Sequence, residues 1–203
     1  EDDPTLTIRY CCFNKKVSEE FAAKSPPSVD VGTMHRFGLQ ALQSAFRCTV
    51  EKNKTYFALD ECGGSDLKRY IRKSVSMLVG LAKNHLYVPG DDLANYRFLS
   101  ELVTRFDVQT YRQDEKVISL AMKCLDRSAS MTGIVDFDDM LWLCVLHDVP
   151  FPAVDFLFID EAQDLNGTQH AMAALMAGSG RTVVVGDPFQ SIYAFRGADA
   201  ESL

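Results

Sequence analysis

Two apolar runs that end abruptly in polar residues constrain this chain more than any other feature. Residues 154–159 (VDFLFI) lead straight into Asp160 and Glu161, and residues 182–185 (TVVV) lead straight into Gly186 and Asp187. Short continuous runs of this kind suit buried strands. Between them, residues 168–177 carry Met172, Leu175 and Met176 at helical spacing, with Asn166 or Thr168 as an N-cap and Gly178 as a C-terminal stop. Strand, helix, strand is the crossover unit of a parallel sheet. In open parallel sheets ligands gather beyond the carboxyl ends of the strands, where polar side chains leave the core without burying unpaired charge. Asp160, Glu161, Asp187 and Gln190 fall there.

The residue types at these exits suit phosphate chemistry. A carboxylate at a strand tip can hold a hydrated Mg²⁺, an ion that keeps several waters and takes one or two protein oxygens, and Asp160 fits that task. Glu161, the next residue, is placed to polarise a water for in-line attack on a terminal phosphate. An Asp-Glu pair alone is as readily a solvated strand end. Gln163, Asp164 and a second polar exit containing Gln190 tip the reading toward a loop that meets a ligand.

FIDEAQD (residues 158–164), followed by VVVGDPFQSIYAFRGA (residues 183–198), resembles the Walker B motif and the next motif of superfamily 1 DNA helicases of the UvrD/Rep type. The resemblance implies that Asp160 coordinates Mg²⁺, with Glu161 as a lesser contributor to the metal, and that Glu161 is the catalytic base. It implies that Gln190 senses the γ-phosphate of ATP, and that Tyr193, Phe195 and Arg196 face single-stranded DNA. Family members often carry Trp where this chain has Phe195, whose stacking face is smaller.

Three further stretches carry the same resemblance. FNKKVSEEF (residues 13–21) resembles the DNA-contacting motif that follows the Walker A region, which sets Phe13 and Asn14 near bases or backbone. TMHRF (residues 33–37) resembles the family's T-x-H-x-F element. There Thr33 and His35 would bond phosphate or base, with Phe37 packed beneath. DFDDML (residues 136–141) resembles a helix start capped by Asp136. Phe137, Met140, Leu141, Cys144 and Val145 would pack onto the sheet, and Asp138 and Asp139 would be first-turn acids favourable to the helix dipole.

Residues 6–13 read as a strand of the same sheet, residues 17–23 as a helix with Asn14 or Ser18 near its cap, and residues 29–33 as a short strand. From 48 to 130 the motifs give way to helical faces. One carries Leu67, Ile71, Val75, Leu78, Val79 and Ala82. A second, with Asp91 or Asp92 as its cap, carries Leu93, Tyr96, Leu102, Val103 and Phe106, and a third carries Val117, Leu120, Ala121, Cys124 and Leu125. Lys68, Arg69, Arg72 and Lys73 form a basic group that is either a solvated face or a DNA contact. The expected fold is therefore α/β, an incomplete parallel-sheet P-loop NTPase (RecA-like) core with an α-helical insertion subdomain. Residues 1–47 and 131–203 would belong to the motor domain and 48–130 to the insertion.

A formal charge of −7 argues against holding DNA by bulk positive charge, although the cations of the first 75 residues can still line a local track. The apolar stretch 140–146 is far too short to span a bilayer. Six cysteines without a C-x-x-C pair read as reduced thiols of an intracellular protein, not as zinc ligands or disulfides. No Gly-Lys dipeptide occurs, so the chain holds no Walker A phosphate loop. In the family that loop precedes FNK, and a second motor domain follows. The resemblance thus implies an internal piece of a larger ATP-dependent helicase or translocase, little active by itself. The complete protein would move 3′ to 5′ on single-stranded DNA or at a single-strand/duplex junction, in repair, recombination or replication. The alternative is a non-catalytic nucleic-acid-binding or interaction protein, marked by DNA binding indifferent to nucleotide.

Overall fold

A computed structural model describes residues 6–187, so Gln190, Tyr193, Phe195 and Arg196 lie outside the described residues. The apolar run of residues 154–159 forms β5 (Phe156–Ile159) and that of residues 182–185 forms β6 (Arg181–Val184). They join β1 (Ile8–Cys12) and β2 (Val29–Thr33) in one sheet of order β2-β1-β5-β6. Every pairing is parallel, with Ile8 opposite both Val29 and Phe156, and Phe156 opposite Arg181. This is the expected parallel-sheet α/β core, and it brings all four carboxyl ends to one edge.

Alternate strand residues face opposite sides, and the two sides are covered unequally. On one, Cys11, Leu157 and Ile159 pack with Met34 and Phe37 of α2 (Met34–Phe46), Leu141 of α7 (Asp139–Leu146) and Met172 and Met176 of α8 (Gly167–Ala177). On the other lies α1 (Lys15–Ala22), which buries no residue fully. Its Phe21 stacks on Tyr10 at 4.3 Å, and Tyr10 stacks on Phe158 at 6.0 Å. The crossover helix α8 opens on a capping box: Asn166 accepts from the Gln169 N–H, and Gln169 accepts from the Asn166 N–H. Gly178 ends it at φ 53°.

A short parallel ladder pairs β3 (Thr49–Val50) with β4 (Ile134–Val135). Between these strands lie α3 (Lys54–Leu59), α4 (Arg69–Asn84), α5 (Asp92–Arg105) and α6 (Asp114–Ser130). Their buried faces, including Leu59, Val75, Leu78, Leu99, Leu102 and Leu125, form one apolar cluster that extends to Leu42 of α2 and to Trp142 and Leu143 of α7. Asp91 caps α5, accepting from the Ala94 N–H at 2.9 Å. Leu93 departs from the expected face: it is 63% exposed, because it lies in the first turn, ahead of the contacts made by Leu99 and Leu102.

The start of α7 also departs from expectation. Asp136 does cap it, accepting from the Asp139 N–H at 2.9 Å. Asp139 is the expected first-turn acid, but it is 0% exposed, with Lys54 Nζ at 2.7 Å and Lys83 Nζ at 2.8 Å, while Asp138 precedes the first turn. Lys83 also donates to Asp136 at 2.8 Å, and Thr55 donates to Asp136 at 3.0 Å. Burial alone would depress the Lys83 ammonium, but Asp139 and Asp136 outweigh it and raise its pKa. At Lys54 burial outweighs the pull of Asp139 and lowers the pKa. The six cysteines are free, and burial pushes the Cys11, Cys124 and Cys144 thiols up to about 12, which makes them poor nucleophiles. Among the described residues no helix is long and apolar enough to cross a membrane.

Candidate functional site

Because the strands are parallel, the polar residues that follow them share one edge. Asn14 leaves β1 and caps α1, its Oδ1 accepting from the Val17 N–H at 3.0 Å. Thr33 ends β2 and caps α2, its Oγ1 accepting from the Arg36 N–H at 3.2 Å. Each side-chain oxygen retains a second lone pair for a ligand. Asp160 and Glu161 leave β5, and Gly186 and Asp187 lie beyond the end of β6.

The acidic exit is built tightly. Asp160 Oδ1 accepts from the Glu161 N–H at 3.1 Å. Burial, then the charge of nearby Asp160, raises the Tyr10 phenol, which therefore stays protonated. Glu161 turns the chain out of the strand at φ 53°, ψ 43°, the left-handed region that a non-glycine residue adopts at a cost of about 1–2 kcal/mol. A single helical turn, Ala162–Asp164, follows, and Gln163 within it donates to Glu161 Oε2 at 2.6 Å. Among the described residues no cluster of three or more His, Cys, Asp or Glu could hold a metal ion. The chemistry of this donor set fits Mg²⁺: a partly exposed, ionisable oxygen ligand at a strand tip suits a hard cation that retains its water.

Beside these exits a cleft of about 1100 Å³ opens between the ends of β1 and β2 and the flank of α4. Phe13, Asn14, Thr33 and His35 line it together with Met77 and Phe137. A narrower pocket carrying Phe13, His35 and Asp160 adjoins it, so the acidic exit and the cleft share a border. The His35 ring stacks on Phe137 at 3.8 Å, and burial pushes its pKa down to about 4, which leaves the imidazole neutral near pH 7. Phe37 is buried beneath, with the guanidinium groups of Arg9 and Arg36 each 5.0 Å from its ring centroid. Arg36 is held in turn by Asp30 at 2.9 Å.

Phe137 was expected in the core and is instead 62% exposed in the cleft wall. The helix begins at Asp139, so helical periodicity does not set the direction of residue 137. Asp138 also lines the cleft, and Asn84 donates to its Oδ1 at 3.2 Å. Burial, then the neighbouring Asp136 carboxylate, pushes the Asp138 carboxyl up to about 6. Lys68, Arg69, Arg72 and Lys73 do not line the cleft. Arg72 is tied to Asp60 and to the Gly64 carbonyl, and Lys68 lies over the Tyr70 ring.

Residues 13–203 match the UvrD/REP helicase N-terminal domain family. The whole chain is similar to ATP-dependent DNA helicase PcrA of Staphylococcus epidermidis, at 30% identity and covering 30% of that protein. An alignment of 98 residues that covers 44% of the chain and 13% of the relative gives 36% identity to DNA helicase II of Escherichia coli. F-box DNA helicase 1 of Gallus gallus is 25% identical across 95% of the chain and 20% of its own length. The chain thus spans less than a third of each of these relatives.

Proposed function

The chain belongs to the UvrD/REP helicase family, a P-loop NTPase fold, and on that premise we propose that it is part of an intracellular ATP-dependent DNA helicase that moves 3′ to 5′ on single-stranded DNA. Its residues 1–47 and 131–203 would form most of the first motor domain and residues 48–130 its helical insertion. The rest of the polypeptide would supply the phosphate loop and the second motor domain.

One observation carries this reading: Asp160, at the tip of β5, lines a pocket that shares Phe13 and His35 with a cleft where Thr33 and Phe137 also converge. When bound, Mg²⁺ would neutralise charge on the ATP phosphates, with Asp160 holding it through water. The Glu161 N–H holds one oxygen of Asp160 in place. Glu161 would take the proton of the attacking water, and Gln190 would report the presence of the γ-phosphate. In the cleft, Phe13 and Phe137 offer stacking faces, while Asn14, Thr33 and neutral His35 offer hydrogen bonds to backbone or base. Tyr193, Phe195 and Arg196 would extend the same track. A DNA repair role follows the family.

In the full-length protein, Glu161→Gln should preserve ATP binding and lower DNA-stimulated turnover by about 10²–10⁴-fold, the usual contribution of a positioned base. Turnover near that of the parent would remove Glu161 from this role. DNA binding that ignores nucleotide would favour a non-catalytic binding protein.

A further inference from the structure

Gln163 stands between the two strand exits and is only 3% exposed. Its Nε2 donates to Glu161 Oε2 at 2.6 Å, and its Oε1 accepts from the Asp187 backbone N–H at 3.0 Å. A carboxylate only accepts and a peptide N–H only donates, so a single orientation of the amide serves both partners. Neither Glu nor Leu at this position can do the same.

The surrounding backbone is shaped for this contact. The Val185 N–H donates to the Ile159 carbonyl at 2.9 Å, and the Ala162 N–H donates to the Val185 carbonyl at 3.0 Å, which holds the two exits side by side. At Gly186 an added Cβ would lie 2.5 Å from Gln163 Oε1 and 3.1 Å from the Ala162 nitrogen. A side chain there would push the amide away. On the other flank, Glu161 holds its left-handed backbone only because its surroundings fix it.

We propose that Gln163 is a positioning residue that fixes the Glu161 carboxylate to the loop leaving β6, so that the base and that loop move together. The inference rests on the reading of Glu161 as the base. Glu161 is exposed and carries a long, rotatable side chain, so without the amide its carboxylate samples several rotamers. Misplacing a reacting group by about 1 Å can cost ~10²-fold in rate.

The test is steady-state ATP turnover of the full-length protein with saturating single-stranded DNA. The variants are Gln163→Leu, Gln163→Glu, Gly186→Ala and the double variant Gln163→Leu/Gly186→Ala, with Glu161→Gln alongside. Gln163→Leu should lower kcat by about 10–100-fold while the KM for ATP changes by less than about threefold, the split expected of a group that acts through the base. Gln163→Glu sets a second carboxylate against Glu161, so the acid limb of its kcat–pH profile should move to higher pH, which Gln163→Leu does not reproduce. Gly186→Ala displaces the same amide from the other side, so its effect should be largely absent once Gln163 is Leu. Parent-like kcat in Gln163→Leu, a loss confined to KM, or additive effects in the double variant would each overturn the inference. If Gln163→Leu does not fold, Gly186→Ala and the pH profile of Gln163→Glu decide the matter. Parent-like turnover in Glu161→Gln would sink the base assignment itself. An inactive Glu161→Gln beside parent-like Gln163→Leu and Gly186→Ala would sink only the positioning role.

Discussion

Asp138-Asp139 at the mouth of α7 and Asp160-Glu161 at the tip of β5 are both adjacent carboxylates at the point where an element begins or ends, yet they do opposite work. Asp139 is closed in by two ammonium groups and cross-bonded to Asp136, whose N–H donates to Asp139 at 3.0 Å. Asp160 is held by the Glu161 N–H and Glu161 by the Gln163 amide, both uncharged donors, and Glu161 remains exposed. Buried cations consume the capacity of a carboxylate to serve anything else, whereas neutral donors aim it and leave lone pairs for a metal or a water. The difference between architecture and chemistry thus lies in the counter-groups and not in the acids.

This contrast is easiest to break at Asp139. Asp139→Ala leaves Lys54 and Lys83 without their shared counter-ion in a closed interior. It should cost about 3–5 kcal/mol, as loss of one partner of a buried pair does, read as an earlier urea unfolding transition of the full-length protein. Glu161→Gln should leave that transition within about 0.5 kcal/mol of the parent, as exposed substitutions do. Comparable losses from both would erase the distinction.

Phe137→Ala sharpens the contrast from between the acids. Loss of this exposed ring should weaken binding of an oligothymidylate by about 1–3 kcal/mol, the worth of one stacked base, in a fluorescence anisotropy titration. The melting temperature should barely move. A large fall in melting temperature with unchanged DNA affinity would return Phe137 to a packing role.

The smallest effect is expected at Asp138. Its folded carboxyl titrates near 6, above the ordinary 3.8, so its contribution to stability is complete below 3.8 and is lost as the pH rises through about 6. Asp138→Asn has no such loss. The variant should melt higher than the parent above pH 6 and lose that advantage below 3.8, by about 2–4 °C for each ~1 kcal/mol that the carboxylate costs. An advantage equal at both ends of the range would show that the carboxyl does not titrate there.

Much of the sheet was legible in the sequence because each buried strand announces itself locally. An apolar run stops at Asp160, another stops at Gly186, and Asn14, Asp91 and Asn166 cap helices within three residues of themselves. What escaped notice depends on partners distant along the chain. Asp136 meets Lys83 across 53 residues, and Gln163 meets the Asp187 N–H across 24. No helical or strand period carries that information. Phe137 escaped for a local reason, since it precedes the first residue of α7 and no helical period sets where its ring points. The cleft itself arises only when α4, from the helical stretch, folds against the exits of β1 and β2.

The β3–β4 ladder has a consequence for how proteins of this architecture can diversify. Residues 49–50 and 134–135 lie side by side, so everything between them hangs from the strand-bearing part as a loop whose ends are already tied. Lengthening a tied loop carries only a logarithmic entropy penalty. The helical block can therefore be lengthened at little cost in chain entropy, as a graft that keeps the apolar faces it shares with Leu42, Trp142 and Leu143. Such a graft has a key: it must bring lysines to the places of Lys54 and Lys83, or the acids at the mouth of α7 are left in the dark without a mate.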